Sequence, residues 1–158
     1  MVMLVALSKS HTPLSAESVR AEFKTIYPRH FLSTGDDGSF VTEGPQLHMD
    51  AIVKSLVPGA SGFFMIHSLP FPYADLSKLP GRIPDPALRQ LACAQTSAMS
   101  VELVHTWAGA DDAKRFVARA MACLAPADSV VLIEPGSGTA VAFDDAVRKR
   151  LAAGDMVF

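Results

Sequence analysis

The chain has 158 residues, which suits one compact domain at the usual length of about 100 to 200 residues and is short for a two-domain enzyme. Apolar residues make up 49% of it and charged residues only 19%, so core material is ample and disorder is excluded for most of its length. Fourteen Lys and Arg against sixteen Asp and Glu leave a net charge of -2, without the basic face by which a general nucleic-acid binder displaces counterions.

Val2 to Leu7 is a continuous apolar run, the pattern of a strand buried on both faces. It lacks a basic leader and gives way at once to Ser8, Lys9, Ser10 and His11, so neither a signal-peptide core nor a membrane span is expected there. Elsewhere the longest apolar runs, such as Phe63 to Ile66 and Val130 to Ile133, are strand-sized, and a cytoplasmic protein without a membrane segment is the expectation.

Val19, Phe23 and Ile26 recur at helical spacing, with Ser15 as N-cap, Glu17 in the first turn and Pro28 as the stop. A Gly-Asp-Asp-Gly turn at 35–38 leads into a short strand from Ser39 to Thr42. Residues 45–57 admit two readings. Leu47, Met49 and Ala51 alternate like a strand, whereas Met49, Ile52, Val53, Leu56 and Val57 share one side of a helical wheel, and helix is the reading adopted, between Gly44-Pro45 and Pro58-Gly59.

Gly62 to Ser68 reads as a strand that runs into the extended, proline-alternating segment Leu69 to Leu76. Asp85 caps, and Pro86 begins, a helix carrying Leu88, Leu91 and Ala92. Val101 to His105 is a strand. Asp111 or Asp112 then caps a helix whose stripe is Phe116, Val117, Ala120, Met121 and Leu124. Val130 to Ile133 and Ala140 to Phe143 form a hairpin about Pro135 to Gly138, and Asp144 caps a last helix ending in Arg148 to Arg150. The expected fold is a single α+β domain over residues 1–158, a mixed β-sheet covered by helices, with a hint of two related β-α-β halves.

No GxGxxG, GxxxxGK or GxSxG motif occurs, and the Gly-Ser clusters at 59–62 and 136–138 fall where turns are needed, so no cofactor is expected. Five histidines lack metal-ligand spacing, and no metal site is expected. The aspartate pairs at 36/37, 111/112 and 144/145 read as caps and turn residues. Cys93 and Cys123 read as free, buried thiols inside apolar helices.

Two sets of residues stand out as candidate sites. His67 and His105, each near the C-terminal end of a strand, would share a face with Glu102 or Asp75 if their strands are neighbours, an acid-base pair able to move a proton. If those two strands are also parallel, the loops after them bring Phe71, Tyr73 and Trp107 into an aromatic patch rimmed by Asp75, Asp111 and Asp112. Aromatic anchors with an acidic rim suit a basic protein partner. The alternative is that the same aromatics close the bottom of the core.

Phe63 to Leu76, the proline-rich gap and helix after it, and Val101 to His105 together resemble a bacterial family, domain of unknown function forty-two sixty-one. The resemblance extends over roughly residues 60 to 150, with the hairpin matching Val130 to Val141, and implies an apolar strand, a Pro-x-Pro segment with an acidic-Leu pair, and a strand-helix-strand ending in a small-residue hairpin. Gln95, Thr96 and Ser97 depart from it, where histidine or alanine is expected. It implies no chemistry.

The sequence therefore points first to a non-enzymatic cytoplasmic binding protein, with an immunity-type role against a toxin or enzyme partner as its specific form. The alternative is a small-molecule-binding domain or small enzyme using His67, Glu102 and His105. Oligomeric state stays open.

Overall fold

The computed structural model describes residues 2–28, 40–42, 49–55, 62–73, 83–106 and 109–158. In chain order the elements are β1 (Val2–Ser8), α1 (Ala16–Ile26), β2 (Phe40–Thr42), β3 (Met49–Ser55), β4 (Gly62–Leu69), α2 (Pro86–Cys93), β5 (Ser97–Thr106), α3 (Ala110–Leu124), β6 (Ser129–Glu134), β7 (Thr139–Ala142) and α4 (Asp145–Ala153). The strands make one sheet in the order β2-β3-β4-β5-β1-β6-β7. Every neighbouring pair is antiparallel, so the α+β fold stands and the expected mixed sheet is corrected to an antiparallel one.

β1 explains why its sequence is apolar throughout. It sits between β5 and β6, and its alternate side chains enter two cores: Leu4 and Ala6 on one face, Val5 and Leu7 on the other. The first face carries α1, α3 and α4 through Val19, Phe23, Phe116, Val117, Met121 and Leu151. Its centre is aromatic, with the Phe116 ring 4.2 Å from that of Phe64, 5.4 Å from Phe23 in an edge-on arrangement and 5.6 Å from Tyr27 in a stack. The second face carries α2, which places Leu88 and Ala92, together with Ile83, against Val5, Leu7, Ala98 and Val131.

The helix caps follow the sequence closely. Ser15 and Ser18 form a reciprocal capping pair on α1, Asp85 accepts from the Ala87 and Leu88 amides, and Asp144 accepts from the Val147 amide. α3 differs, because Gly109 is its N-cap and no side chain caps it. Asp111 and Asp112 instead lie inside its first turn, favourable to the helix dipole, and pair with Lys114 at 3.7 Å and Arg115 at 3.0 Å.

One further expectation is corrected. The helix over 45–57 is strand β3 where it is described, held by β2 on one side and β4 on the other. The two halves are related as expected: β1-α1-β4 and β5-α3-β6 are each a β-α-β unit of parallel strands with its helix on the same face, interleaved so that β5 lies between β1 and β4 and β1 between β5 and β6.

The polar lead-in to β5 has a structural purpose. Ser97 donates to the Ser10 carbonyl at 2.6 Å, its hydroxyl lies 2.9 Å from that of Ser8, and Thr96 donates to the Lys9 carbonyl at 2.6 Å. Ser68 donates to the Thr12 carbonyl at 2.7 Å. Together they pin the turn after β1 across the end of the sheet, and give the buried hydroxyls of Ser8, Ser68 and Ser97 their partners. Among the described residues no helix is long and apolar enough to cross a membrane.

Candidate functional site

The strands that carry the two histidines are neighbours, but they run in opposite directions. His67 stands opposite Ser100, and His105 stands opposite Phe63, four residues back along β4. At about 3.3 Å per residue that places the histidines about 13 Å apart along the strands, so they do not form a pair. His105 is exposed, while His67 is half-buried.

The antiparallel register also divides the expected aromatic patch. Phe71 and Tyr73 leave the sheet at the end where β5 begins, whereas Asp111 and Asp112 follow the other end of β5. Phe71 is 41% exposed and Tyr73 half-buried, so the two aromatics are not equivalent either. Asp75 and Trp107 lie outside the described residues.

What the structure does bring together is His67, Glu102 and Tyr73. Glu102 stands opposite Met65, and His67 is the next residue but one, so the two side chains are diagonal neighbours on the α2 face at about 7 Å between Cβ atoms. Tyr73 folds back over this face. Its amide donates to Gln95 Oε1 at 3.2 Å, and its hydroxyl is held above its ordinary pKa, first by burial and then by the charge of Glu102. The trio has the residue types of an acid-base site, and it lies outside the three cavities of about 240, 350 and 380 Å³ among the described residues.

The glycine loop at 136–138 is closed to anions. The Gly138 amide donates to the Glu134 carbonyl at 2.9 Å and the Ser137 amide to the Glu134 carboxylate at 2.6 Å, so the loop's own acid occupies the donors an anion would need. Gly138 takes a φ of 71°, the conformation that the hairpin requires of a glycine. Among the described residues no group of three or more His, Cys, Asp or Glu could hold a metal. Both thiols are free; Cys93 is exposed rather than buried, and Cys123 is part-buried.

An apolar groove beside a strand edge that has no neighbour among the described residues was not anticipated from the sequence. A groove of about 380 Å³ runs between α2, through Asp85, Ala87, Leu88 and Leu91, and the edge strand β7, through Ala140, Val141 and Ala142. Phe143 donates to the Val130 carbonyl at 3.0 Å, which fixes the hydrogen-bond phase of the β6–β7 ladder. In that phase Val141 bonds inward to Leu132, and Ala140 and Ala142 turn their N–H and C=O groups away from the sheet. Their methyl groups lie on the α2 side, leaving space above them that Leu91, 39% exposed, borders from the helix. β7 carries neither a charge nor a proline, the usual devices that blunt an edge. Two alanines in a strand facing an extra leucine on a short helix were the available signal.

No protein-family model matches the chain, and neither the curated proteins nor the solved structures include a significant match to it.

Proposed function

We propose that the protein is a non-enzymatic binding module that takes an extended segment of a protein partner along β7, as an added strand of its sheet. The observation that carries this reading is the outward-facing backbone of Ala140 and Ala142 beside the apolar groove under Leu91. Main-chain bonds along an edge give affinity to any extended segment, and a groove beside it selects the side chains. Here the small alanines leave room for a large apolar residue against Leu88 and Leu91. Asp85 lines the groove and Asp144 follows β7 after one residue, so a basic residue flanking the apolar one is favoured. A basic toxin domain neutralised in an immunity-type interaction is the specific partner that this chemistry suits, in a chain whose own net charge is -2.

A displayed library of ten-residue peptides selected on the full chain tests the reading. Selection should enrich sequences with alternating apolar residues and a flanking Lys or Arg, and Ala142→Pro, which removes one outward N–H, should weaken them at least tenfold. No enrichment, or enriched peptides that bind Ala142→Pro unchanged, would reject it.

A further inference from the structure

On the other face of the sheet, α1, α3 and α4 leave a cleft of about 350 Å³, within the size range of small-molecule sites. Its floor is apolar, from Ile26 at the end of α1, Ala122 and Cys123 on α3 and Ala152 on α4. The Cys123 thiol belongs to that floor, because burial, and secondarily the charge of Glu22, pushes its pKa to about 12 and keeps it neutral.

The rim is cationic. Arg119, Arg148 and Lys149 line the cleft, against Asp145 in the lining and Glu22 close to Cys123. Three positive and two negative groups leave one positive charge in excess. Neither guanidinium is neutralised by its own bonds. Arg119 donates to the Ala153 carbonyl at 3.3 Å and to the Tyr27 hydroxyl, while its buried Nε–H has no acceptor among the described residues. Arg148 gives its N–H groups to three main-chain carbonyls and lies 4.7 Å over the Phe143 ring, partners that carry no formal charge. Its pKa is lowered, with burial the largest cause and the charge of Asp145 acting against it.

We propose that this cleft binds a small amphipathic anion, a carboxylate or phosphate-monoester head on an apolar body, with the head at Arg119 and Lys149 and the body over Ile26, Ala122, Cys123 and Ala152. The site is separate from the β7 edge and does not depend on it, since the two lie on opposite faces of the sheet.

Calorimetric titration of the full chain with four probes below micelle-forming concentration tests the proposal: decanoate, octyl phosphate, decanol and inorganic phosphate. Binding of decanoate or octyl phosphate is expected, with decanol at least tenfold weaker and inorganic phosphate undetectable, and the better of the two heads identifies the head chemistry. Arg119→Gln and Lys149→Ala should each weaken the anion at least fivefold, and Ala152→Phe, which fills the cleft without touching a charge, should abolish it. Thermal melts show that each variant is folded, and Arg148 is left intact because it caps α3. Equal binding of decanol and decanoate, binding of neither amphiphilic anion, or affinities unchanged in Arg119→Gln and Ala152→Phe would overturn the proposal.

Discussion

Arg148 on α4 donates from Nη1 to the Ala122 carbonyl at 2.8 Å, and so closes a helix that ends 24 residues before it in the chain. The same guanidinium reaches the Ala125 carbonyl at 3.0 Å and the Pro126 carbonyl at 2.9 Å. A helix ends with carbonyls that have no partner of their own, and a cation there is also favoured by the dipole. Arg148→Met should cost about 2 to 3 kcal/mol in urea unfolding, the usual range when charge-assisted bonds to part-buried groups are lost. Arg148→Lys should recover less than half, because an ammonium lacks the fork that spans three carbonyls. A loss below about 0.5 kcal/mol, the level of an inert surface change, would mean that water satisfies those carbonyls instead.

Phe116 is fully buried among Phe23, Tyr27 and Phe64, and joins α3 to both α1 and the sheet. Phe116→Ala should therefore lose about 3 to 5 kcal/mol, the transfer term plus an unfilled cavity. Val104, 52% exposed on β5, is the control: Val104→Ala should stay within about 0.5 kcal/mol. Similar losses for the two in chemical denaturation would contradict this core.

A Cβ built on Gly62 would lie 2.5 Å from the His105 carbonyl oxygen, beside the register shift between Phe63 and Phe64. The clash is with main chain, and the Phe64 and Leu103 side chains close in at 3.3 and 3.4 Å, which leaves little room to relax. Gly62→Ala should lower stability by about 1 to 3 kcal/mol, as overpacking does, where an alanine in an open strand would be nearly neutral. An unchanged melting temperature would show that the β4–β5 approach is looser than described.

Most of this fold was legible because the periodicities were local. Phe116, Val117, Ala120, Met121 and Leu124 recur at helical spacing and are all buried, and the unbroken apolar run of β1 correctly announced a strand with two covered faces. β3 was misread because Ile52 and Val53 are adjacent apolar residues that satisfy a helical wheel as well as a strand. What decides between them is pairing with the flanking strands β2 and β4, which the pattern of one segment does not contain. Strand direction is likewise absent from local pattern. That His67 and His105 each lie near the end of a strand could be read, but whether those strands are neighbours and their ends coincide depends on pairing, and the antiparallel pairing separated the candidate residues.

The two thiols should react very differently. Cys93 is exposed, whereas burial holds Cys123 at about 12, so iodoacetamide at pH 8 should label Cys93 and leave Cys123 in the folded chain. The folded pKa of Cys123 lies above the ordinary thiol value of 9.0, so the folded state retains a proton that the unfolded chain releases. Its contribution is full below pH 9 and is lost as the pH rises toward 12, by at most about 1.4 kcal/mol per pH unit. Cys123→Ala should flatten the decline in stability between pH 9 and 10.5; an identical slope in the variant would show that this thiol does not contribute.

The phase of the β7 ladder makes a sharp contrast between adjacent positions. The amide of Val141 faces Leu132 inside the sheet, while that of Ala142 faces outward. Proline removes the N–H in both cases, but only at Val141 does it take a bond from the ladder and push its ring against β6. Val141→Pro should cost about 3 kcal/mol, and Ala142→Pro less than about 1 kcal/mol, because proline is tolerated at outward positions of an edge strand. Urea unfolding of the two variants checks this independently of any ligand. Equal losses would mean that the outward phase assigned to Ala140 and Ala142 is wrong, and the edge would then have no free row of backbone groups to offer a partner.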